Sequence, residues 1–256
     1  MTTVQLAELQ RLIGSLMWAM GRVGGLCLMA PVFGDSVAPK RIRLGIMLVL
    51  TAVLAPLAPT SIDPMTADGI TVMISQVLIG AAIGFVLKLA FEGVSLGGQL
   101  VGQSMSLGFA ETVDPRGGGS SPVISQFYLL MVTLLFLAMD GHLRLIALLA
   151  ESFHTLPPGE ATIGPEGLHA VVGFAGQLFG GAVRVALPAM TSLLLVNIGF
   201  GAISRAAPAM NLFAVGFPIT ITLGFVALWL SMHSLPGAFE SLQNSAWTLM
   251  HDLAGG

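Results

Sequence analysis

"GITVMISQVLIGAAIGFVL", residues 69 to 87, runs for nineteen positions without a charged side chain. As an α-helix it is roughly 28 Å long at 1.5 Å per residue, close to the ~30 Å hydrocarbon core of a bilayer. Its apolar residues are continuous, whereas a strand of an outer-membrane barrel alternates over about ten residues. The stretch reads as a membrane helix, and the chain around it repeats the pattern. Leu44 to Ile62, Gly117 to Met139, Val185 to Ser204 and Ala206 to Phe239 are uncharged in the same way. Leu12 to Phe33 joins them if Arg22 is tolerated, and Gly93 to Ala110 is a weaker seventh run. Six or so hydrophobic helices are expected. The predicted fold class is all-α, a polytopic integral membrane protein with kinked helix hairpins.

Composition agrees. Of 256 residues 55% are hydrophobic and 9% charged, against roughly 25% charged in soluble domains, so the chain cannot build a water-facing surface. Its solvent is a bilayer or a shell of other apolar subunits. A net charge of −3 with scattered basic residues excludes a surface that tracks nucleic-acid phosphates. Cys27 is the single cysteine, which excludes an intrachain disulfide and a cysteine-based metal site. The N-terminus carries Glu8, Arg11 and Arg22 and lacks the pattern of a secretory signal, so the first apolar segment is expected to direct insertion.

The chain is expected to form one membrane domain over residues 1 to 256. The longest polar connection is "ESFHTLPPGEATIGPEG" (151 to 167), with three acids and three prolines; it reads as a solvent-exposed loop between two helical halves and is where any boundary would fall. The one basic cluster, Lys40, Arg41 and Arg43, belongs on the cytoplasmic side by the positive-inside rule, with Asp63 and Asp68 across the next span. Glycines recur four apart at Gly21/Gly25, Gly80/Gly84, Gly93/Gly97, Gly98/Gly102 and Gly176/Gly180. In lipid this spacing lets helix backbones approach closely, either within one bundle or between subunits. Asp140/Arg144 and Lys88/Glu92 are also four apart, the spacing of self-neutralising pairs on a helix; the alternative for charges at membrane depth is an ion or proton relay.

Signatures of catalysis are missing. The histidines at 142, 154, 169, 233 and 251 show no zinc-site spacing. "GQSMS" (102 to 106) lacks the second glycine of a nucleophile elbow, and "GFGAIS" (199 to 204) lacks the third glycine of a dinucleotide loop. No catalytic residue, cofactor site or metal site is expected. A membrane protease built on Ser104 or Ser106 with His142 is the remaining enzymatic alternative. A self-sufficient carrier or channel is another, with broken helices near Gly98 to Gly119 and Pro188 to Pro218 forming a midplane site.

Two motif-bearing stretches go further. "MSLGFAETVDPRGGGSSPVISQFYLLMVTLLFLAMDGHLRLIALLAESFHTLP" (105 to 157) and "RAAPAMNLFAVGFPITITLG" (205 to 224) resemble the FliR family, with its SctT-like virulence-secretion homologues. The matches are the order Gly-Phe-Ala, Asp-Pro, Pro-Val, Gln-Phe, Asp-Gly-His and Leu-Pro, then Arg-x-x-Pro-x-Met-Asn-x-Phe-x-x-Gly-Phe-Pro. "APVFGDSVAPKRIRLGIMLVLT" (30 to 51) is a weaker third match. The resemblance covers essentially the whole chain, and its motifs are closer to the flagellar branch.

What the resemblance implies is a non-enzymatic, single-copy subunit of the flagellar type III protein export gate in the bacterial inner membrane at the flagellar basal body. It would assemble with FliP and FliQ type subunits, and with a FlhB-type export switch protein, around a path for unfolded flagellar substrates, in contact with membrane lipid. By the same resemblance, residues 106 to 120 are the plug that closes the gate. Met105 and Phe109 would face a constriction supplied largely by neighbouring subunits. Phe109, between Gly108 and Ala110, offers a bulky apolar stopper; Asp114-Pro115 biases a turn; Gly117, Gly118 and Gly119 supply backbone freedom. In the second motif Arg205, Pro208, Asn211, Phe213, Gly216 and Pro218 are expected to form an assembly interface, because proline frees carbonyls that only neighbouring helices or water can satisfy.

Overall fold

The computed structural model describes residues 2–34, 38–58, 62–105, 123–160, 163–206 and 212–255. Among these the regular structure is helical: α1 (Thr2–Met29), α2 (Lys40–Leu54), a 3₁₀ turn (Ala55–Leu57), α3 (Ala67–Ser104), α4 (Val123–Ala138), α5 (Gly141–Thr155), α6 (Pro165–Ala206), α7 (Leu212–Ser231) and α8 (Leu235–Leu253). Three helices are long and apolar enough to cross a membrane, or up to five spans if the bent pairs α4–α5 and α7–α8 each count as one.

Helix ends follow local chemistry. Pro39 precedes α2, and Pro56 sits in the 3₁₀ turn that ends it, since proline lacks the N–H that a helix interior needs. The Asp63 carboxylate accepts from the Met65 N–H at 2.9 Å, and the Thr66 hydroxyl accepts from the Gly69 N–H at 3.2 Å. This caps α3, and Asp68 in its first turn suits the positive end of the helix dipole. Between α4 and α5 the chain turns by 65°. There Asp140 takes φ 55°, a left-handed conformation that aspartate tolerates, and Gly141 lies under the Phe136 ring. Between α7 and α8 the bend is 58°. Many hydroxyls fold back onto their own helix: Thr51 donates to Met47 O, Thr133 to Leu129 O, and Ser192 to Pro188 O. That satisfies them where water is scarce.

The structure corrects several expectations. Gly69 to Leu87 and the start of Gly93 to Ala110 are one helix, α3, because Lys88 and Glu92 lie on its exposed side and do not interrupt it. Leu44 to Ile62 yields only the 15 residues of α2 and a 3₁₀ turn, stopped by proline. Neither charged pair closes into an ion pair among the described residues. Asp140 precedes the first turn of α5 in a left-handed conformation, and Arg144 stacks on Trp247 at 4.7 Å. Residues 151 to 155 are the last turn of α5, and Ser152 and Phe153 are buried.

The chain divides into two compact units. The first comprises Met1–Leu89, Phe136–Ala175 and Asn244–Gly256; the second comprises Ala90–Leu135 and Gly176–Gln243. Residues 151 to 167 fall within the first. In that unit α1 crosses α3 with glycine on both sides. A Cβ at Gly80 would strike the Arg22 carbonyl, and one at Gly25 the Val77 carbonyl. In the second unit Gly97 meets Ala182 and Val185 of α6, and Gly98 meets Ser125 of α4. Gly102 makes only ordinary contact with Ile124. Gly176 and Gly180 differ, with open space where a side chain would project. Four of the five spaced pairs are therefore used within the chain, and one faces outward.

That contrast is testable. Gly80→Ala forces two helix backbones apart and should destabilise the purified chain by about 3 kcal/mol, the upper range of overpacking. Gly176→Ala should hold or gain stability by up to ~1 kcal/mol from helix propensity. Thermal melting in detergent separates the two; equal losses would contradict the assignment of faces.

Candidate functional site

The stretch expected to act as a plug follows α3 in sequence, and the structure shows how the end of that helix is fixed. Gly93 and Gly97 bring α3 against Leu178, Ala182 and Val185 of α6, while Gly98 brings it against α4 beside Tyr128. The Tyr128 and Ser231 hydroxyls lie 3.2 Å apart and join α4 to α7; Ser231 also donates to Leu228 O at 2.8 Å. Phe91 of α3 meets Phe239 of α8 edge-on, with ring centroids 5.6 Å apart. Met105, the first residue beyond α3, donates its N–H to Val101 O at 3.0 Å and is fully buried. Its thioether chain lies across Gly224 of α7, where a Cβ would come within 2.7 Å of Met105 Cγ. Met105 therefore packs within its own chain. Gly108, Phe109, Ala110, Asp114, Pro115, Gly117, Gly118 and Gly119 lie outside the described residues.

Of the second motif, Arg205 is exposed in the last turn of α6. Pro208 and Asn211 lie outside the described residues, and Phe213 belongs to the first turn of α7. Gly216 is half-buried with open space beside its Cα, and Pro218 is exposed inside α7. Pro188 lies inside α6, which continues past it as helix to Ala206. α3 is likewise continuous through Gly98 and Gly102 to Ser104.

Much of the surface of α6 is apolar and open among the described residues. Leu168, Val172, Phe179, Leu195, Ile198 and Ile203 are all exposed, beside the open flank of Gly173, Gly176 and Gly180. Several small residues left open along one flank of a helix are a means by which a second helix comes close.

A buried polar centre in the first unit was visible in the sequence only as a lone arginine. Arg22 has no exposed surface. Its Nε donates to Gln76 Oε1 at 2.8 Å; one terminal nitrogen donates to Ser152 O at 2.5 Å and Ser152 Oγ at 3.0 Å; the other donates to Leu156 O at 2.6 Å. The guanidinium also lies over the Phe153 ring, 4.2 Å from its centroid. No carboxylate pairs with it among the described residues. Ser152 and Leu156 are at the C-terminal end of α5, where unpaired carbonyls and the helix dipole concentrate negative potential. The counter-charge is thus a helix end. An arginine in an apolar run with no acid at helical spacing is the signal that marks such a centre in sequence.

Among the described residues no group of three or more His, Cys, Asp or Glu could hold a metal ion. The Ser104 hydroxyl donates to Leu100 O at 2.9 Å, within its own helix, and Ser106 lies outside the described residues.

These features define a multi-helix membrane protein that leaves apolar and glycine surface exposed among its described residues. The model of the family "Bacterial export proteins, family 1" matches residues 13–246, and the chain belongs to that family. It is 35% identical over 242 residues to the flagellar biosynthetic protein FliR of Pectobacterium carotovorum subsp. carotovorum, covering 94% of this chain and 93% of the relative. To FliR of Escherichia coli (strain K12) it is 33% identical over 237 residues, 92% and 91% of the two chains. To FliR of Caulobacter vibrioides it is 31% identical over 217 residues, 84% and 86%.

Arg22→Met preserves bulk but takes their donor from Gln76 Oε1 and Leu156 O, while Ser152 O keeps the Leu156 N–H, and should destabilise the chain by about 3 kcal/mol. Arg22→Lys, which keeps the charge without the fork of donors, should recover only part of that loss. Thermal unfolding of both variants in detergent checks the order; a methionine variant as stable as the parent would mean the centre is dispensable.

Proposed function

We propose that this chain is a non-catalytic subunit of the flagellar type III protein export gate in the bacterial inner membrane. It assembles there with FliP and FliQ type subunits and a FlhB-type switch protein around a path for unfolded flagellar proteins. The observation that carries this reading, beside the family, is α6. With 42 residues it is roughly 63 Å long, about twice the ~30 Å hydrocarbon core. Even tilted by 40° it leaves more than 20 Å of its length outside that core. Yet exposed apolar side chains run from Leu168 to Ile203. Neither lipid nor water suits that whole surface, whereas neighbouring helices do, with the Gly176 and Gly180 flank as the line of closest approach. Arg205 in the last turn of α6, with Pro208, Asn211, Phe213, Gly216 and Pro218 after it in sequence, extends this interface.

A conduit for unfolded chains must close when idle, and residues 106 to 120 supply the plug. The burial of Met105 against Gly224 supports a division of labour. Met105 anchors the stem of the loop, while Phe109 closes the path and the Gly117 to Gly119 triplet lets the loop swing aside. The carrier alternative places unwound helix near Gly98 to Gly119 and Pro188 to Pro218; α3 is helical through Gly98 and Gly102 and α6 through Pro188, while residues 106–119 and 207–211 lie outside the described residues.

Deletion of residues 109 to 119 should leave an assembled complex that leaks ions while export of flagellar filament protein continues. Ion flux and secreted protein, measured in cells at matched assembly, read this directly; an assembled complex that stays sealed would make the loop a connector only. Ser104→Ala and His142→Ala should leave export unchanged. Gly176→Leu with Gly180→Leu should leave the chain folded but reduce the FliP and FliQ type subunits that co-purify with it, by tenfold or more. Full recovery of both would overturn the role given to α6.

A further inference from the structure

α2 differs from the other helices in how little of it the chain covers. Arg43, Met47, Leu50, Thr51 and Leu54 form its inner stripe, spaced as one face of a helix, and α2 packs there on α1. Almost everything else points away from the protein. Ile42, Ile46, Val49 and Val53 form one outward line, with Val49 at 63% and Val53 at 64% exposure; Leu44 and Leu48 lie on a second line. Gly45 has open space beside it. At the start of this apolar surface Lys40 and Arg41 are both exposed. By helical spacing Arg41 heads the line that continues through Leu44 and Leu48. Arg43 is different: it is half-buried and donates to Gly34 O at 2.9 Å, so it serves the fold.

We propose that α2 docks into one leaflet of the bilayer with Lys40 and Arg41 among anionic phospholipid headgroups and its outward lines among the acyl chains. Three observations select lipid as the occupant. The charges sit at one end of the helix, not along its side, which matches the vertical order of a leaflet: charged headgroups, then hydrocarbon. The 15 residues of α2 make roughly 22 Å, more than the ~15 Å hydrocarbon depth of one leaflet and less than the ~30 Å of two, so a tilt of about 50° keeps the helix within one leaflet. The outward line of Ile42, Ile46, Val49 and Val53 is bulky and β-branched and α2 leaves a single glycine, Gly45, open, whereas α6 leaves Gly173, Gly176 and Gly180 open. Basic residues beside an apolar helix are attracted to anionic lipid, each by about a factor of five. The inference concerns this helix alone and stands apart from the export reading.

The test is native mass spectrometry of the purified full chain titrated separately with phosphatidylglycerol and phosphatidylcholine. The parent should bind phosphatidylglycerol in preference, and high salt should weaken that preference. Lys40→Gln with Arg41→Gln should lower phosphatidylglycerol binding about thirtyfold, leave phosphatidylcholine binding unchanged, and leave the melting temperature unchanged because both side chains are exposed. Lys40→Arg with Arg41→Lys should keep the preference, and so should Arg184→Gln, an exposed position on α6 in the other unit. Equal binding of the two lipids by the parent, or a preference retained in the glutamine variant, would overturn the proposal. So would loss of a co-purifying protein subunit with lipid binding intact, which would make the basic end a protein contact.

Discussion

An arginine at membrane depth is admissible only if something other than water solvates it, and here the solvent is the end of a helix. Isolated at a helix centre, an arginine is unfavourable by about 2.5 to 3.5 kcal/mol on insertion scales. Four hydrogen bonds from Arg22, three of them to Ser152 and Leu156, replace that hydration. The arrangement ties α1, α3 and α5 together at one point in the first unit. The glycine crossing of α1 on α3 then brings the backbones close enough for Gln76 to reach the same guanidinium. Packing and polarity thus reinforce each other, since the close approach that glycine permits also excludes the water Arg22 would otherwise need.

The second unit is held differently. No charged side chain is buried among its described residues. Its specificity comes from small residues on α3, edge-on rings at Phe91 and Phe239, and one hydroxyl pair at Tyr128 and Ser231. These fix the end of α3 and the seat of Met105. Burial of Met105 against Gly224 holds the chain at the point where α3 ends.

Much of the fold was legible in the sequence because uncharged runs of bilayer length have few alternatives, and Gly69 to Leu87 set the class by itself. Errors arose where a charge was taken for a boundary. Lys88 and Glu92 project outward from an unbroken helix, and a helix is indifferent to a charged residue on its open side. The pairing of Asp140 with Arg144 failed for a related reason: spacing of four implies proximity only if both residues are helical, and Asp140 is not. The glycine spacings could not say which pairs look inward, since that depends on which helices meet. Arg22 was visible as an anomaly, but its partners are main-chain oxygens, and no residue type announces those. The family motifs reached further than the physics of any one segment, because they join residues that lie far apart in the chain.

The carbonyl clamp has an evolutionary consequence. Two of the oxygens that hold Arg22 belong to the backbone, so most substitutions along α5 leave them in place. Insertion or deletion of one residue between Asp140 and Leu156 would rotate the helix end by about 100° and carry both oxygens away from the guanidinium. The family should therefore hold the length of this helix fixed, so that selection acts on the count of residues as well as on identity at positions such as Ser152 and Phe153, whose side chains also meet Arg22.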